Sequence, residues 1–297
     1  MSWRTLDGLP PQVIAHRGAS GLLPEHTLAA YALGLGQGAD VIEPDLVPTR
    51  DGVLIARHEP NLARSTDVFV RGEFSHLKRG DDWWSTDFAL EDIRRLRARQ
   101  PFEGRSDRHD DHHGVPSWQD VLDWAAQAAL ERGQAVSVYP ELKHPAHFAA
   151  LGLDPVPLFA QALLALPAGV EVRVQCFEVG ALQRVRASTG LPCTLLLEQG
   201  ADWRRVIAEH GQWLWGLGVD KRLLWSAQGR GSGLVEAAHA AGLRVHPWTY
   251  RDDRVGEGYA DVREELRAAL RLGVDGVFCD FPATGIEVRD SLRTTFG

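Results

Sequence analysis

Ala135-Val136-Ser137-Val138-Tyr139-Pro140-Glu141-Leu142-Lys143 is an apolar, β-type run that ends abruptly in ionisable side chains. Ser117 suits the N-cap of a helix over 118–132 just ahead of it, so the two read as one helix followed by one buried strand. The unit repeats downstream as helix 155–166 and strand 170–175, helix 179–188 and strand 193–197, and helix 203–210 and strand 213–217. Helix 233–241 with strand 244–248, helix 262–272 with strand 275–279 and a short C-terminal helix complete the series. Upstream, strand 13–16 leads to a helix whose Leu28, Tyr31, Leu33 and Leu35 share one face, closed by Gly36 and Gly38. A strand over 41–47 follows, and the Asp51-Gly52 turn sends the chain back as strand 53–58. Eight strands alternating with helices predict a closed (β/α)8 TIM barrel. The absence of a Gly-x-Gly-x-x-Gly turn weighs against an open doubly wound sheet.

The rhythm lapses over about 59–116, a polar, charge-rich stretch read as an insertion carrying one helix over 90–99 within a single-domain chain. The 297 residues suit an undivided barrel, and 44% hydrophobic content supports a large core. A net charge of −8, with the thirty-two basic residues scattered, excludes a duplex nucleic-acid partner. Cys176, Cys193 and Cys279 are too few and too far apart for a disulfide framework or a zinc site. The opening Met1-Ser2-Trp3-Arg4-Thr5-Leu6-Asp7 lacks the apolar core of a secretion leader, and no run reaches membrane-spanning length. The expectation is a cytoplasmic protein without stable membrane insertion, or a periplasmic one if the chain was trimmed. Nothing in the sequence speaks to oligomeric state.

In a barrel, reactive groups gather at the C-terminal ends of the strands. His16 and Arg17 end the first strand, Glu43 and Asp45 the second, His58 the hairpin return, and Glu141 and Lys143 the third. Side chains two apart on a strand share a face, so Glu43 and Asp45 point the same way, as do Glu141 and Lys143. Three converging carboxylates would take up protons unless a cation sat between them. Their all-oxygen character selects a hard divalent ion, Mg2+ or Ca2+, with Glu43, Asp45 and Glu141 as ligands. Such an ion beside Arg17 and Lys143 suits a doubly substituted phosphate, whose charge the cations neutralise. Lysine occurs only at positions 78, 143 and 221 of an arginine-rich chain, which makes Lys143 conspicuous. Two histidines supply proton transfer near neutral pH.

These residues also resemble a family. His16-Arg17-Gly18-Ala19-Ser20, Pro24-Glu25-His26-Thr27, Glu43-Pro44-Asp45-Leu46, Asp51-Gly52-Val53 and Arg57-His58-Glu59 resemble the glycerophosphodiester phosphodiesterase signature. Pro140-Glu141-Leu142-Lys143, Val174-Gln175-Cys176-Phe177 and Gly273-Val274-Asp275-Gly276-Val277-Phe278 continue it in order, and the long insertion is similar to the bacterial periplasmic form. The resemblance implies a TIM barrel that hydrolyses glycerophosphodiesters such as glycerophosphocholine or glycerophosphoethanolamine to glycerol 3-phosphate and an alcohol. It implies His16 and His58 as acid and base, and Glu43, Asp45 and Glu141 as metal carboxylates. It further implies a glycerol hydroxyl as first nucleophile, giving a cyclic phosphate. Cys176 and Glu178 depart from the family's usual Ser and Asp, and 71–113 matches it only loosely.

Competing readings accompany each residue. Gln175 either hydrogen-bonds substrate or satisfies a buried backbone group. Trp248 and Phe177 are either apolar walls for glycerol or core. The cluster His109-Asp110-Asp111-His112-His113 has metal-binding residue types without ordered spacing, and an exposed loop is expected. Rival functions are a phosphodiesterase acting on lysophospholipids or phosphoinositides, a non-catalytic phosphodiester-binding barrel, and a metal-dependent sugar isomerase.

Overall fold

Pro44 and Pro140 have no N–H to give a neighbouring strand, and the strands that contain them are interrupted there. The computed structural model describes residues 3–296; Met1 and Ser2, on which the leader reading partly rested, lie outside the described residues, as does Gly297. In chain order the barrel wall comprises β1 (Gln12–His16), β2 (Val41–Glu43) continued past Pro44 as β3 (Asp45–Pro48), and the hairpin return β4 (Leu54–Ala56). Then come β5 (Val136–Val138) continued as β6 (Glu141–Leu142), β7 (Val170–Val172) continued as β8 (Val174–Cys176), β9 (Cys193–Leu197), β10 (Gly216–Asp220), β11 (Arg244–Trp248) and β12 (Gly276–Cys279). Carbonyls still accept across the breaks: Glu141 N–H donates to Pro44 O at 2.8 Å and Gln175 N–H to Pro140 O at 2.9 Å.

All pairings are parallel except the β3–β4 hairpin. The strands run β12-β1-β2-β5-β7 along one ladder and β11-β10-β9-β8-β6-β3 along the other. Two backbone bonds, Asp275 N–H to Val245 O (2.9 Å) and Tyr250 N–H to Phe278 O (2.8 Å), join β11 to β12 and close the ring. The expected TIM barrel is therefore the fold.

Helices α1 (Leu28–Gly36), α2 (Leu90–Arg95), α3 (Trp118–Arg132), α4 (Pro145–Ala150), α5 (Pro155–Leu163), α6 (Val179–Thr189), α7 (Trp203–His210), α8 (Leu234–Ala240), α9 (Val262–Leu272) and α10 (Pro282–Phe296) complete the chain. Ser117 caps α3, accepting from Asp120 N–H at 3.1 Å while Asp120 answers Ser117 N–H at 2.8 Å. The main core lies between strands and helices, and a smaller one (Ile14, Val41, Tyr139, Phe278) fills the barrel beneath its rim.

Three local readings need correction. The sixth barrel strand starts at Gly216, not Trp213, because Trp213 and Leu214 N–H both still bond His210 O at the end of α7. Gly218 belongs inside that strand: a Cβ there would lie 2.4 Å from Leu196. α4 was not foreseen, and α2 stops at Arg95 because Arg97 and Ala98 pair with Gly114 and Thr66 instead. The segment 59–116 packs its Leu62, Phe74, Trp83, Phe88 and Ile93 with Val47, Ile55 and Phe148 of the barrel side.

Candidate active site

Register assembles the site. His16 pairs with Glu43 across β1 and β2, Asp45 with Glu141 across β3 and β6, and Glu141 with Gln175 across β6 and β8. Residues from four successive strands of the barrel thus become lateral neighbours on the C-terminal rim. One ligand atom from each of Glu43, Asp45 and Glu141 lies within 4.8 Å of the other two, and all three side chains are buried.

The surroundings hold each carboxylate in place. Glu43 accepts from Arg17 N–H at 2.9 Å and from Gln175 Nε2 at 3.1 Å. Arg17 can donate there because its backbone is left-handed (φ 60°), which turns the peptide inward. Asp45 Oδ2 lies 2.9 Å from His26 Nε2 and 3.4 Å from Arg17 Nε. Glu141 pairs with Lys143 at 2.8 Å, and Arg17 with Glu25 at 2.8 Å.

Burial pushes the Glu43 carboxyl well up, and Asp45 and Glu141 beside it push the same way. Burial likewise lifts Glu141 to about 7 against the pull of Lys143. For Asp45, burial is outweighed by Lys143 and His26, which hold it well below the usual carboxylate range. Burial brings His26 down to about 4. Neutral His26 then donates Nε2–H to Asp45 and receives the Tyr31 hydroxyl at Nδ1 (3.1 Å).

The cluster fits a divalent cation on its own evidence. Its donors are all oxygen, burial together with like charge raises two of the three carboxyls, and buried Asp45 Oδ1 has no hydrogen-bond partner among the described residues.

A cavity of about 710 Å3 opens over this cluster, lined by His16, Arg17, His58, Lys143, Phe177 and Trp248 among others. His16 Nδ1 meets Asp280 Oδ1 at 2.7 Å, and His58 Nδ1 meets Glu59 Oε1 at 2.7 Å. Each carboxylate therefore fixes its imidazole through Nδ1 and leaves Nε2 for the cavity. Burial, reinforced by Arg17, lowers His58 and keeps it neutral near pH 7. Phe177 is 39% exposed and stands edge-on to Trp248 at 6.1 Å, so both are wall residues.

All ten sequence-assigned site residues come together here. Gln175 proves to be a holder of Glu43, not a backbone satisfier alone. Cys176 bonds Leu142 O at 3.2 Å, and burial raises its thiol to about 12, so it is inert packing at the cavity floor. Glu178 accepts from Ala146 N–H at 2.9 Å and ties down the start of α4. The His109–His113 region is a surface turn, and no metal-ligand group among the described residues includes it. Sequence reasoning missed three supports: Glu25 for Arg17, His26 for Asp45 and Asp280 for His16. Asp280 did carry a signal, since it ends an apolar strand as Glu141 does.

Residues 16–284 match the model of the Glycerophosphoryl diester phosphodiesterase family. A glycerophosphodiester phosphodiesterase of Haemophilus influenzae is 28% identical, the alignment covering 95% of this chain and 90% of that one. Two solved structures share the fold: a Silicibacter pomeroyi protein assigned to the glycerophosphoryl diester phosphodiesterases (TM-score 0.73, 24% identity, 98% of each chain), and an Oleispira antarctica phosphodiesterase in complex with the product sn-glycerol-3-phosphate (TM-score 0.67, 21% identity, 96% of this chain and 99% of that one).

Proposed function

The chain belongs to the glycerophosphoryl diester phosphodiesterase family, and from that premise we propose that it hydrolyses glycerophosphodiesters such as glycerophosphocholine and glycerophosphoethanolamine to glycerol 3-phosphate and the free alcohol, with one divalent cation, Mg2+ or Ca2+. The observation that carries this reading is the convergence of Glu43, Asp45 and Glu141 beside Arg17, Lys143 and two carboxylate-held histidines in one cavity. The product complex of the Oleispira antarctica relative supports the glycerol phosphate half of the assignment.

Glu43, Asp45 and Glu141 would hold the ion, which when bound supplies Lewis-acid neutralisation of the phosphoryl charge. Arg17 and Lys143 present fixed positive charge to the phosphate oxygens, and both stay protonated because Glu25, Asp45 and Glu141 face them. Neutral His58 accepts a proton at Nε2 from the attacking hydroxyl, while His16, held through Nδ1 by Asp280, gives one to the departing alkoxide. The glycerol 2-hydroxyl is the proposed nucleophile: its oxygen bonds phosphorus as the alcohol leaves, and water then opens the cyclic phosphate. Phe177 and Trp248 cover the carbon skeleton. The segment 59–116 is proposed to serve the same single domain.

The test is a coupled glycerol 3-phosphate assay over several head groups, run with chelator and with each metal added back. Turnover restored by one hard cation is expected. No glycerol 3-phosphate from any diester under metal repletion would overturn the reading, and preferred turnover of lysophospholipid would redirect it to the lipid-cleaving alternative. Rapid-quench product analysis should trap cyclic glycerophosphate.

A further inference from the structure

The loop around Glu103, Gly104, Ser106, Asp107 and Arg108 is exposed, yet the Arg105 side chain in its midst is only 2% exposed. Its guanidinium reaches three barrel loops at once. Nε donates to Asp253 after β11 at 2.8 Å, one terminal nitrogen donates to Ser20 O after β1 at 3.1 Å, and the other donates to Asp280 Oδ2 after β12. Phe102 lies 4.3 Å and Phe281 5.6 Å from the guanidinium carbon. Gln100 of the same segment also reaches Ser20 O at 3.0 Å, and the Ser20 hydroxyl bonds His16 O at 2.8 Å.

We propose that Arg105 is a positioning residue for His16: the inserted segment orients the catalytic imidazole by locking the carboxylate that holds it. Asp280 divides its two oxygens, one to His16 Nδ1 and the other to Arg105. The guanidinium is itself anchored by a fork onto Asp253, Nε at 2.8 Å and the terminal nitrogen it shares with Asp280 at 3.3 Å, so its single bond to Oδ2 fixes the rotation of the Asp280 carboxylate; a second arginine, Arg251, stands farther off at 3.6 Å. Among the described residues no arginine pairs with Glu59, the partner of His58, and its side chain is 36% exposed. A small displacement of a proton-transfer group is enough to slow turnover strongly, so a residue outside the cavity lining can control rate without touching substrate.

The inference rests on the reading of His16 as a proton-transfer group, and the experiment separates the two. Steady-state kinetics of the full chain on glycerophosphocholine would compare wild type, Arg105→Met, Arg105→Lys, Asp280→Asn, the Arg105→Met/Asp280→Asn double variant and His16→Ala. Arg105→Met keeps the stem between the two phenylalanines but loses the fork; kcat should fall on the order of tenfold or more with KM within about twofold. Arg105→Lys should fall by about threefold, giving the order wild type, Lys, Met. In the Asp280→Asn background, Arg105→Met should change kcat less than about twofold, because the effect passes through that carboxylate. Wild-type kcat in either soluble Arg105 variant overturns the proposal, as does an undiminished loss in the Asp280→Asn background. Should Arg105→Met not fold, Arg105→Lys decides alone. An active His16→Ala overturns this proposal and the assignment of His16 together, whereas an inactive His16→Ala with unaffected Arg105 variants overturns this proposal alone.

Discussion

The two ends of the barrel both bury charge, and they treat it oppositely. At the N-terminal base, Arg173 lies 4.9 Å from the rings of both Tyr139 and Trp215, and donates to Gln12 Oε1 at 2.7 Å. Arg244 covers Trp215 at 4.7 Å. Asp275 accepts from Leu6 N–H and Val245 N–H, and meets His239 at 2.9 Å. Buried His246 is kept neutral by burial and by the two arginines. Aromatic faces cover the two guanidiniums and backbone donors hold Asp275 at that end, while Arg173 Nε and both His246 ring nitrogens have no hydrogen-bond partner among the described residues. At the C-terminal rim, three carboxylates share a site with too few positive partners, and two of them are pushed toward the protonated form. Cationic charge at the base is covered by aromatic faces of the chain itself; carboxylate charge left unmatched at the rim requires something from outside.

This contrast can be broken most severely at the carboxylates. Glu43→Gln should reduce turnover on the order of a thousandfold, the several kcal/mol a catalytic cation contributes, and chelation of wild type should match it. The same substitution should leave thermal stability equal or higher, because it removes buried like charge. A variant that loses stability in proportion to activity would make the rim structural, like the base. His16→Ala and His58→Ala should each lower kcat by about 10²–10⁴, measured under metal saturation.

Metal affinity offers a finer comparison. With Glu141 raised to about 7 and Glu43 pushed up beside it, cation binding below pH 7 must displace at least one proton, so affinity should climb at least about tenfold per pH unit from 5 to 7. Calorimetry in two buffers of different ionisation enthalpy would register the released proton; no buffer dependence at pH 6 would contradict the raised carboxyl. Smallest of all in activity is Arg173→Met at the base. It should destabilise by about 1–3 kcal/mol through the lost stacking and hydrogen bond, read by denaturant melts, while kcat stays within about twofold of wild type. A large kcat effect there would erase the distinction between the ends.

Much of this was legible in the chain. Ser117 caps α3 and the helix runs to Arg132 as expected, since capping and apolar periodicity are local signals. Strand ends rich in carboxylate and base announced Glu43, Asp45, Glu141 and Lys143, because ionisable groups on one strand face are anomalous in a buried sheet. The start of β10 was misplaced, because Trp213 and Leu214 look like strand residues while their N–H groups belong to a helix end. Glu25 and His26 read as the approach to a helix; only the left-handed backbone of His26 (φ 58°) turns its ring onto Asp45. Outside its one expected helix, the segment 59–116 gave no periodic signal, so the inward turn of Arg105 was invisible.

The alternation of helix and strand, and the residue types waiting at the strand ends, are properties of neighbouring residues, and the sequence alone determined them. Which carboxylates would meet depended on strand register, through the pairings of His16 with Glu43 and Asp45 with Glu141. Which partner His16 would take depended on a chain segment more than two hundred residues away, at Asp280. Those choices were the tertiary structure's, because lateral pairing and burial are set by the closed barrel and leave no periodic trace in a local stretch of chain.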